Sequence, residues 1–263
     1  MALKLIRSKS FANGVVYALE TEDGFPIEVT DTFLPLYTKD AVGRGDNKVS
    51  SDHGYGDRSQ RWMVGVSCMS GCAVGCKFCA TGQLKKTRML TADEMLEQVE
   101  FVLAQNPDRK FTDAAEHKVN YTRMGEPFLN VEEVKGAVKK IEALHPGTHH
   151  YVSTIGVKGS DFSWIEGNVT LQLSLHSLVR ARREDLIPFK RKMSLEELGA
   201  VRTKSKLKTT LNMTLVDEKD FDIGEMKRLF DCRDFFVKLS PINPNCTSEQ
   251  NHMGAGAVVG ANF

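Results

Sequence analysis

The spacing of hydrophobic positions changes along the chain, and each change predicts an element. Between Gly14 and Phe33 apolar and polar residues alternate around Asp23-Gly24, a dipeptide suited to a tight turn, which predicts a β-hairpin. From Lys39 to Gln60 the chain is polar and holds Gly43, Gly45, Gly54 and Gly56, the pattern of a long surface loop. Beyond it, strand-length apolar runs recur at Trp62–Val66, Lys118–Thr122, His150–Thr154, Thr170–Leu175, Thr209–Leu215 and Phe235–Leu239. Helical periods fall between most of them. Thr91 and Glu94 form a capping box ahead of Met95, Val99 and Val102. Asn130 with Glu133, and Ser194 with Glu197, repeat the device, and Phe221–Leu229 is a shorter helical stretch. Ile155–Asn168 carries no helical period.

Strands joined by helical crossovers run parallel. Six such strands are too few for an eight-fold barrel, so the expected fold is α/β: a partial (β/α)6 barrel preceded by a short N-terminal β-hairpin. The expected organisation is a hairpin extension over 1–37, a flexible loop over 38–60, the barrel over 61–245 and a C-terminal tail over 246–263. In such sheets the chemistry gathers at the carboxyl ends of the strands.

Composition narrows the class. The 263 residues hold 35 Lys+Arg against 34 Asp+Glu and are 41% hydrophobic, which excludes a disordered chain and a globally basic nucleic-acid binder. No apolar run reaches the ~18 residues of a membrane span, and the opening MALKLIRSKS lacks the apolar core of a secretory signal, so a soluble cytoplasmic protein is expected. Four of the six cysteines, Cys68, Cys72, Cys76 and Cys79, crowd directly after the first core strand, whereas Cys232 and Cys246 stand apart. A tight cluster in a chain of this size reads as metal binding rather than as a disulfide framework. Cys72, Cys76 and Cys79 have C-x3-C-x2-C spacing, with Phe78 before the last. Three thiolates on one loop can hold three corners of a cubane iron–sulfur cluster. A structural zinc site using all four cysteines is the alternative, although zinc usually draws ligand pairs from two separated elements.

This cysteine motif resembles the signature of the radical S-adenosylmethionine (SAM) enzymes. Met124-Gly125-Glu126-Pro127, Ser153-Thr154, Ser174-Leu175-His176 and Pro241-Ile242-Asn243-Pro244 extend the resemblance to the RNA adenine methyltransferases of the RlmN/Cfr type. It runs from about Gly14 to Pro244. The resemblance implies a [4Fe-4S] cluster on Cys72, Cys76 and Cys79, with SAM on the open iron and Gly125, Glu126, Ser153, Ser174, Leu175, His176 and Asn243 as SAM contacts. It also implies a flavodoxin- or ferredoxin-like electron donor, and it matches Glu28 to the family's catalytic carboxylate, with Asp31 as the neighbouring alternative.

The pattern departs in two places. The family's relay uses one thiol in a C-terminal segment, which this sequence is expected to lack, and another seven residues before the first cluster cysteine, where Gly65 stands here. Arg123 occupies a position that is glycine in the family motif. Cys246, three residues beyond Asn243, is the candidate to carry a methyl group or quench a radical; an ordinary tail thiol is the alternative. Between Arg180 and Lys208 ten basic residues meet four acidic ones, a candidate RNA-binding region or else a solvated charged face. Two enzymatic functions remain: a methyltransferase-like enzyme acting on RNA or a nucleotide, and a 5′-deoxyadenosyl radical enzyme abstracting hydrogen from a small molecule or peptide. A zinc-binding module is the non-enzymatic third.

Overall fold

Asp23-Gly24 makes the expected turn: Gly24 sits at φ 82°, Phe25 N donates to Thr21 Oγ1 at 2.9 Å, and Thr21 Oγ1 donates to Asp23 at 2.6 Å. The computed structural model describes residues 3–36, 54–84, 86–215, 217–242 and 244–253. The loop expected over 38–60 therefore lies mostly outside the described residues, as do Asn243 and the last ten positions. The chain divides into two units.

The first unit comprises Met1–Cys68, Leu90–Arg123 and Glu132–His150. Its strands are β1 (Lys4–Phe11), β2 (Gly14–Glu20), β3 (Pro26–Leu34), β4 (Arg61–Val66), β5 (Glu116–Tyr121) and the start of β6 (His149–Thr154), hydrogen-bonded in that order. β2 and β3 are antiparallel from Gly14↔Thr32 to Glu20↔Pro26, β3 is antiparallel to β4, and β4 runs parallel to β5 from Arg61↔Glu116 to Val66↔Tyr121. The expected hairpin is thus three-stranded. β1 was not legible because every residue of KLIRSKSF is exposed: it is held by backbone pairing to β2 and buries no apolar face.

Helix α1 (Ala92–Ala104) starts at the Thr91/Glu94 capping box and buries Met95, Val99 and Val102. Its buried Gln98 binds the end of β4 from both sides, donating to Ser67 O at 3.0 Å and accepting from Ser67 N at 2.7 Å. Helix α2 (Val131–Leu144) buries Val134, Ala137 and Ile141, and Glu133 accepts from Ala92 N at 2.6 Å, tying the two helices together.

The second unit comprises Met69–Met89, Met124–Val131 and Tyr151–Phe263. It continues from β6 through β7 (Val169–Ser174), β8 (Thr209–Leu215) and β9 (Phe235–Pro241), with β7–β8 and β8–β9 parallel. Its helices are α3 (Arg180–Leu186), α4 (Leu195–Gly199), α5 (Ile223–Leu229) and α6 (Cys246–Gln250). Leu171, Leu173, Leu211 and Met213 are fully buried on one face of β7 and β8, each worth roughly 1.5–3 kcal/mol of burial. The alternate positions Gln172, Ser174, Asn212 and Thr214 are polar and half-buried, so the opposite face offers hydrogen-bonding groups rather than a packed core. The α/β class and the order of the core strands agree with the expected partial (β/α)6 barrel and its N-terminal extension.

Candidate cluster and cofactor site

The cysteine loop is closed at its base by a two-stranded antiparallel ladder, Met69–Ser70 against Arg88–Met89. Gly71, at φ 73°, turns the chain out of the ladder; a Cβ there would meet Lys86 O at 2.8 Å. Val74 is buried and anchors the loop's middle. Cys79 N donates to Cys76 O at 3.1 Å, and a 3-10 turn over Ala80–Gln83 follows.

Two neighbouring segments clasp the loop. Lys77 N donates to Leu186 O of α3 at 3.0 Å, and Lys77 pairs with Asp185. On the other side Asn245 Nδ2 donates to Phe78 O at 3.0 Å and Asn251 Nδ2 to Lys77 O at 2.9 Å. Phe78 packs edge-on against His176, ring centroids 4.7 Å apart.

Cys72, Cys76 and Cys79 lie within electrostatic reach of one another, and Glu126 lies within reach of Cys72 and Cys76. Burial pushes the Cys72 thiol up to about 11 and Cys76 further still, so both are neutral thiols until a cation draws off their protons. Among the described residues no three metal-ligating side chains converge on a single ion. A cubane takes each thiolate at a separate corner, so three spaced soft donors on one loop fit it without such convergence.

Gly125 adopts φ 101°, a conformation costly for a side-chain-bearing residue, and so delivers Glu126 into the interior. The Glu126 carboxylate is buried. It accepts from Phe128 N at 3.0 Å, from Ile155 N at 2.9 Å and from the Thr154 hydroxyl. Burial outweighs these bonds and lifts Glu126 to about 7. Carboxylate oxygens keep spare lone pairs, so a ligand ammonium can still be accepted.

This shift has a measurable consequence in the cluster-free chain. A carboxyl raised from 4.5 to about 7 on folding keeps its proton through that window in the native state only. Its contribution to stability is therefore present below pH 4.5 and lost as pH rises towards 7, by up to ~3 kcal/mol. Buried His150 and His176, both pulled down to about 3, act with the opposite sign, losing stability as pH falls below 6.5. The Glu126 contribution is expected as the difference between wild-type and Glu126→Gln urea-stability curves, and a pH-independent difference between pH 4.5 and 7 would refute it.

The other residues expected from the resemblance to contact SAM lie along a polar row. Ser153 Oγ donates to Gln172 Oε1 at 2.8 Å, and Asn212 Nδ2 donates to the same oxygen at 3.2 Å. Leu175 N donates to Asn212 O at 3.0 Å, and Ser174 stands opposite Asn212 in the ladder. His176 has φ 61°, and its Nδ1 accepts from Thr214 N at 3.1 Å, which leaves its proton on Nε2. Gln172 and Asn212 were missed in the sequence; the only signal was a polar residue inside an otherwise apolar strand. Asn243 lies outside the described residues. Cys246 is exposed at the first position of α6, next to the Asn245 that holds Phe78.

The two candidate carboxylates of the hairpin have different surroundings. Asp31 is fully buried and bonded to Arg58, Trp62 and Asn106. Glu28 is half-exposed and pairs with Arg123.

The basic region does not form one surface. Arg180–Arg183 follow the carboxyl end of β7. Arg202, Lys206, Lys208 and Arg233 instead line a cavity of about 340 Å³ that includes Thr209 and Asp234, at the amino ends of β8 and β9. Arg183 is buried rather than offered to solvent, while Lys190 and Arg191 are exposed and have no acidic partner among the described residues.

Known proteins are similar to this chain in sequence and in structure. A probable dual-specificity RNA methyltransferase RlmN of Thermosipho melanesiensis is 34% identical over 199 residues, 71% of this chain and 57% of that protein. A dual-specificity RNA methyltransferase RlmN of Campylobacter concisus is 31% identical over 210 residues, 76% of this chain and 51% of its own length. A crystal structure of a radical SAM methyltransferase from Sphaerobacter thermophilus superposes with a TM-score of 0.65 at 26% identity, covering 92% of this chain and 68% of that one. The chain is a homologue of the RlmN-type radical SAM methyltransferases. It spans about half the length of the curated relatives it matches, and no family model matches it. Among the described residues no helix is long and apolar enough to cross a membrane.

Positions 65 and 123, where the sequence is expected to depart from the family pattern, are in contact with one another. A Cβ at Gly65 would meet Thr30 Oγ1 at 2.3 Å and Arg123 Cδ at 3.1 Å. Arg123 thus covers Gly65, while its guanidinium reaches Glu28.

Proposed function

We propose that this chain carries the core of a radical SAM enzyme of the RNA-methyltransferase type, with Cys72, Cys76 and Cys79 binding a [4Fe-4S] cluster and the polar face beside it binding SAM. When bound, the cluster supplies one-electron cleavage of the SAM sulfonium and a 5′-deoxyadenosyl radical. Glu126 receives the SAM ammonium; its backbone donors fix it in place, and the arriving positive charge offsets its burial. Ser153, Gln172, Ser174 and Asn212 hold hydroxyl and carboxylate oxygens. His176 and Phe78 close an apolar wall that keeps water out. Asn243 remains a proposed SAM contact by resemblance. The observation carrying this reading is the clasped three-thiol loop with Glu126 in its electrostatic reach, in a chain homologous to RlmN. Anaerobic reconstitution is expected to give a brown protein that yields 5′-deoxyadenosine from SAM and dithionite. A colourless protein holding stoichiometric zinc would refute it.

RNA is the proposed substrate class, reached through exposed cations on the carboxyl-end side. Lys190→Gln with Arg191→Gln is expected to reduce the salt slope of RNA binding by roughly 1.5, as for two lost phosphate contacts. Lys206→Gln with Lys208→Gln, at the opposite strand ends, should leave it unchanged. The reverse result would move the RNA surface.

The packing of Arg123 over Gly65 and its pairing with Glu28 favour a second use of the same radical, hydrogen abstraction without a cysteine relay. Methyl-labelled SAM separates the two. Label on Cys246 or on RNA supports methyl transfer, whereas unlabelled RNA with abundant 5′-deoxyadenosine supports abstraction.

A further inference from the structure

We infer that Arg183 is the counter-charge of the iron–sulfur centre, a buried guanidinium that stabilises the cluster's reduced state and so raises its reduction potential. This rests on the proposed cluster and adds to it a residue that sets how readily the electron is accepted.

Helix α3 is fastened to the cysteine loop at Lys77, through the hydrogen bond to Leu186 O and the ion pair with Asp185. Arg183 lies three residues before Leu186, on the same side of the helix. It is 2% exposed, and its guanidinium donates to Ile155 O at 2.9 Å and to Met193 O at 2.8 Å. Both acceptors are neutral. Its Nε has no acceptor among the described residues. The adjacent Glu184 is mostly exposed and pairs with Lys192.

A cation taken from water costs several kcal/mol unless a negative charge faces it. Two carbonyls orient Arg183 but do not neutralise it. Two groups in its electrostatic reach can do so: Glu184, which is mostly exposed and already paired with Lys192, and Cys76. With Cys76 as a neutral thiol the guanidinium faces only that shared, solvent-exposed carboxylate, whereas a thiolate bound to a cluster adds a buried counter-charge.

The redox consequence follows from charge alone. The oxidised cluster takes one electron from a one-electron donor and becomes one unit more negative. No proton has to move, because the guanidinium stays charged in both states. The attraction to Arg183 therefore grows on reduction, and iron–sulfur potentials respond to local charge and burial in this direction.

The test uses the full chain, reconstituted anaerobically as wild type, Arg183→Met and Arg183→Lys, and compared at equal iron content. Redox titration followed by the electron paramagnetic resonance signal of the reduced cluster gives the midpoint. Arg183→Met is expected to lower the reduced-to-oxidised ratio at a fixed potential at least tenfold, a shift of about 59 mV for one electron. Arg183→Lys, which keeps the charge without the forked carbonyl contacts, should stay near wild type. Arg183→Gln keeps a donor to the carbonyls and gives the same comparison should the methionine variant not fold. An unchanged midpoint in the uncharged variants would reduce Arg183 to a structural tie and overturn the inference. A wild-type chain that takes up no iron would overturn the proposed function itself.

Discussion

Replacing Cys76 with alanine is expected to abolish iron loading and SAM cleavage while leaving the chain folded. The loop's shape does not depend on the thiol. It is fixed by the Met69–Ser70 ladder, by Lys77 N on Leu186 O, and by Asn245 and Asn251 on the carbonyls of Phe78 and Lys77. In the proposed site Cys76 contributes a soft donor, and a cluster with only three protein ligands would not keep its seat after losing one. The loss should exceed the roughly 10–100-fold that removal of an outer partner costs a metal site. Cys72→Ala and Cys79→Ala should behave alike. The other cysteines make the controls: Cys232 is exposed before β9, and its alanine variant should keep full iron. Cys68 is buried, so Cys68→Ala should cost about 1 kcal/mol of stability as a small core truncation and still load iron. Iron and sulfide assays beside circular dichroism decide the matter. Full iron in a folded Cys76→Ala protein would sink the assignment of the three ligands.

Much of the candidate site was readable as a proposal because the residues it draws on are local in sequence. The three cysteines lie on one loop, Gly125-Glu126 lies on one turn, and each follows a strand whose apolar pattern is plain. The core strands were legible for the same reason, since Val64, Leu171, Leu173 and Leu211 must all be buried. What could not be read depends on partners distant along the chain. Gln172 and Asn212 look like ordinary polar strand residues until they meet Ser153 across the sheet. The basic window reads as one charge run, but the connection carrying it travels the length of a strand, from the carboxyl end of β7 to the amino end of β8. Its two halves are therefore separated, and Arg183 is buried between Ile155 and Met193 instead of facing solvent. β1 has no apolar face to announce it, because backbone pairing and a surface ion pair of Lys4 with Glu20 hold it.

The largest stability effect is expected at Asp31, a residue the sequence offered only as an alternative catalytic carboxylate. Its carboxylate is fully buried and accepts from Arg58 Nη2 at 2.7 Å and Arg58 Nε at 3.1 Å, from Trp62 Nε1 at 2.8 Å and from Asn106 Nδ2 at 3.1 Å. These partners come from the segment before β4, from β4 itself and from the end of α1, so one side chain joins three segments. Asp31→Ala leaves Arg58 against Phe33 and Trp62 without its counter-charge, and strands the indole N–H and the Asn106 amide. Removing one partner of a buried ion pair costs about 3–5 kcal/mol, a large share of a domain's stability. Asp31→Asn keeps an acceptor and should cost about half as much, roughly 1.5–3 kcal/mol, as loss of a charged hydrogen bond does. Adding Arg58→Met to Asp31→Ala should recover part of the loss, because the stranded cation is removed with it. Urea denaturation of the four proteins measures this. A loss below about 1 kcal/mol in Asp31→Ala would mean the network carries little, and would return Asp31 to the candidates for chemistry.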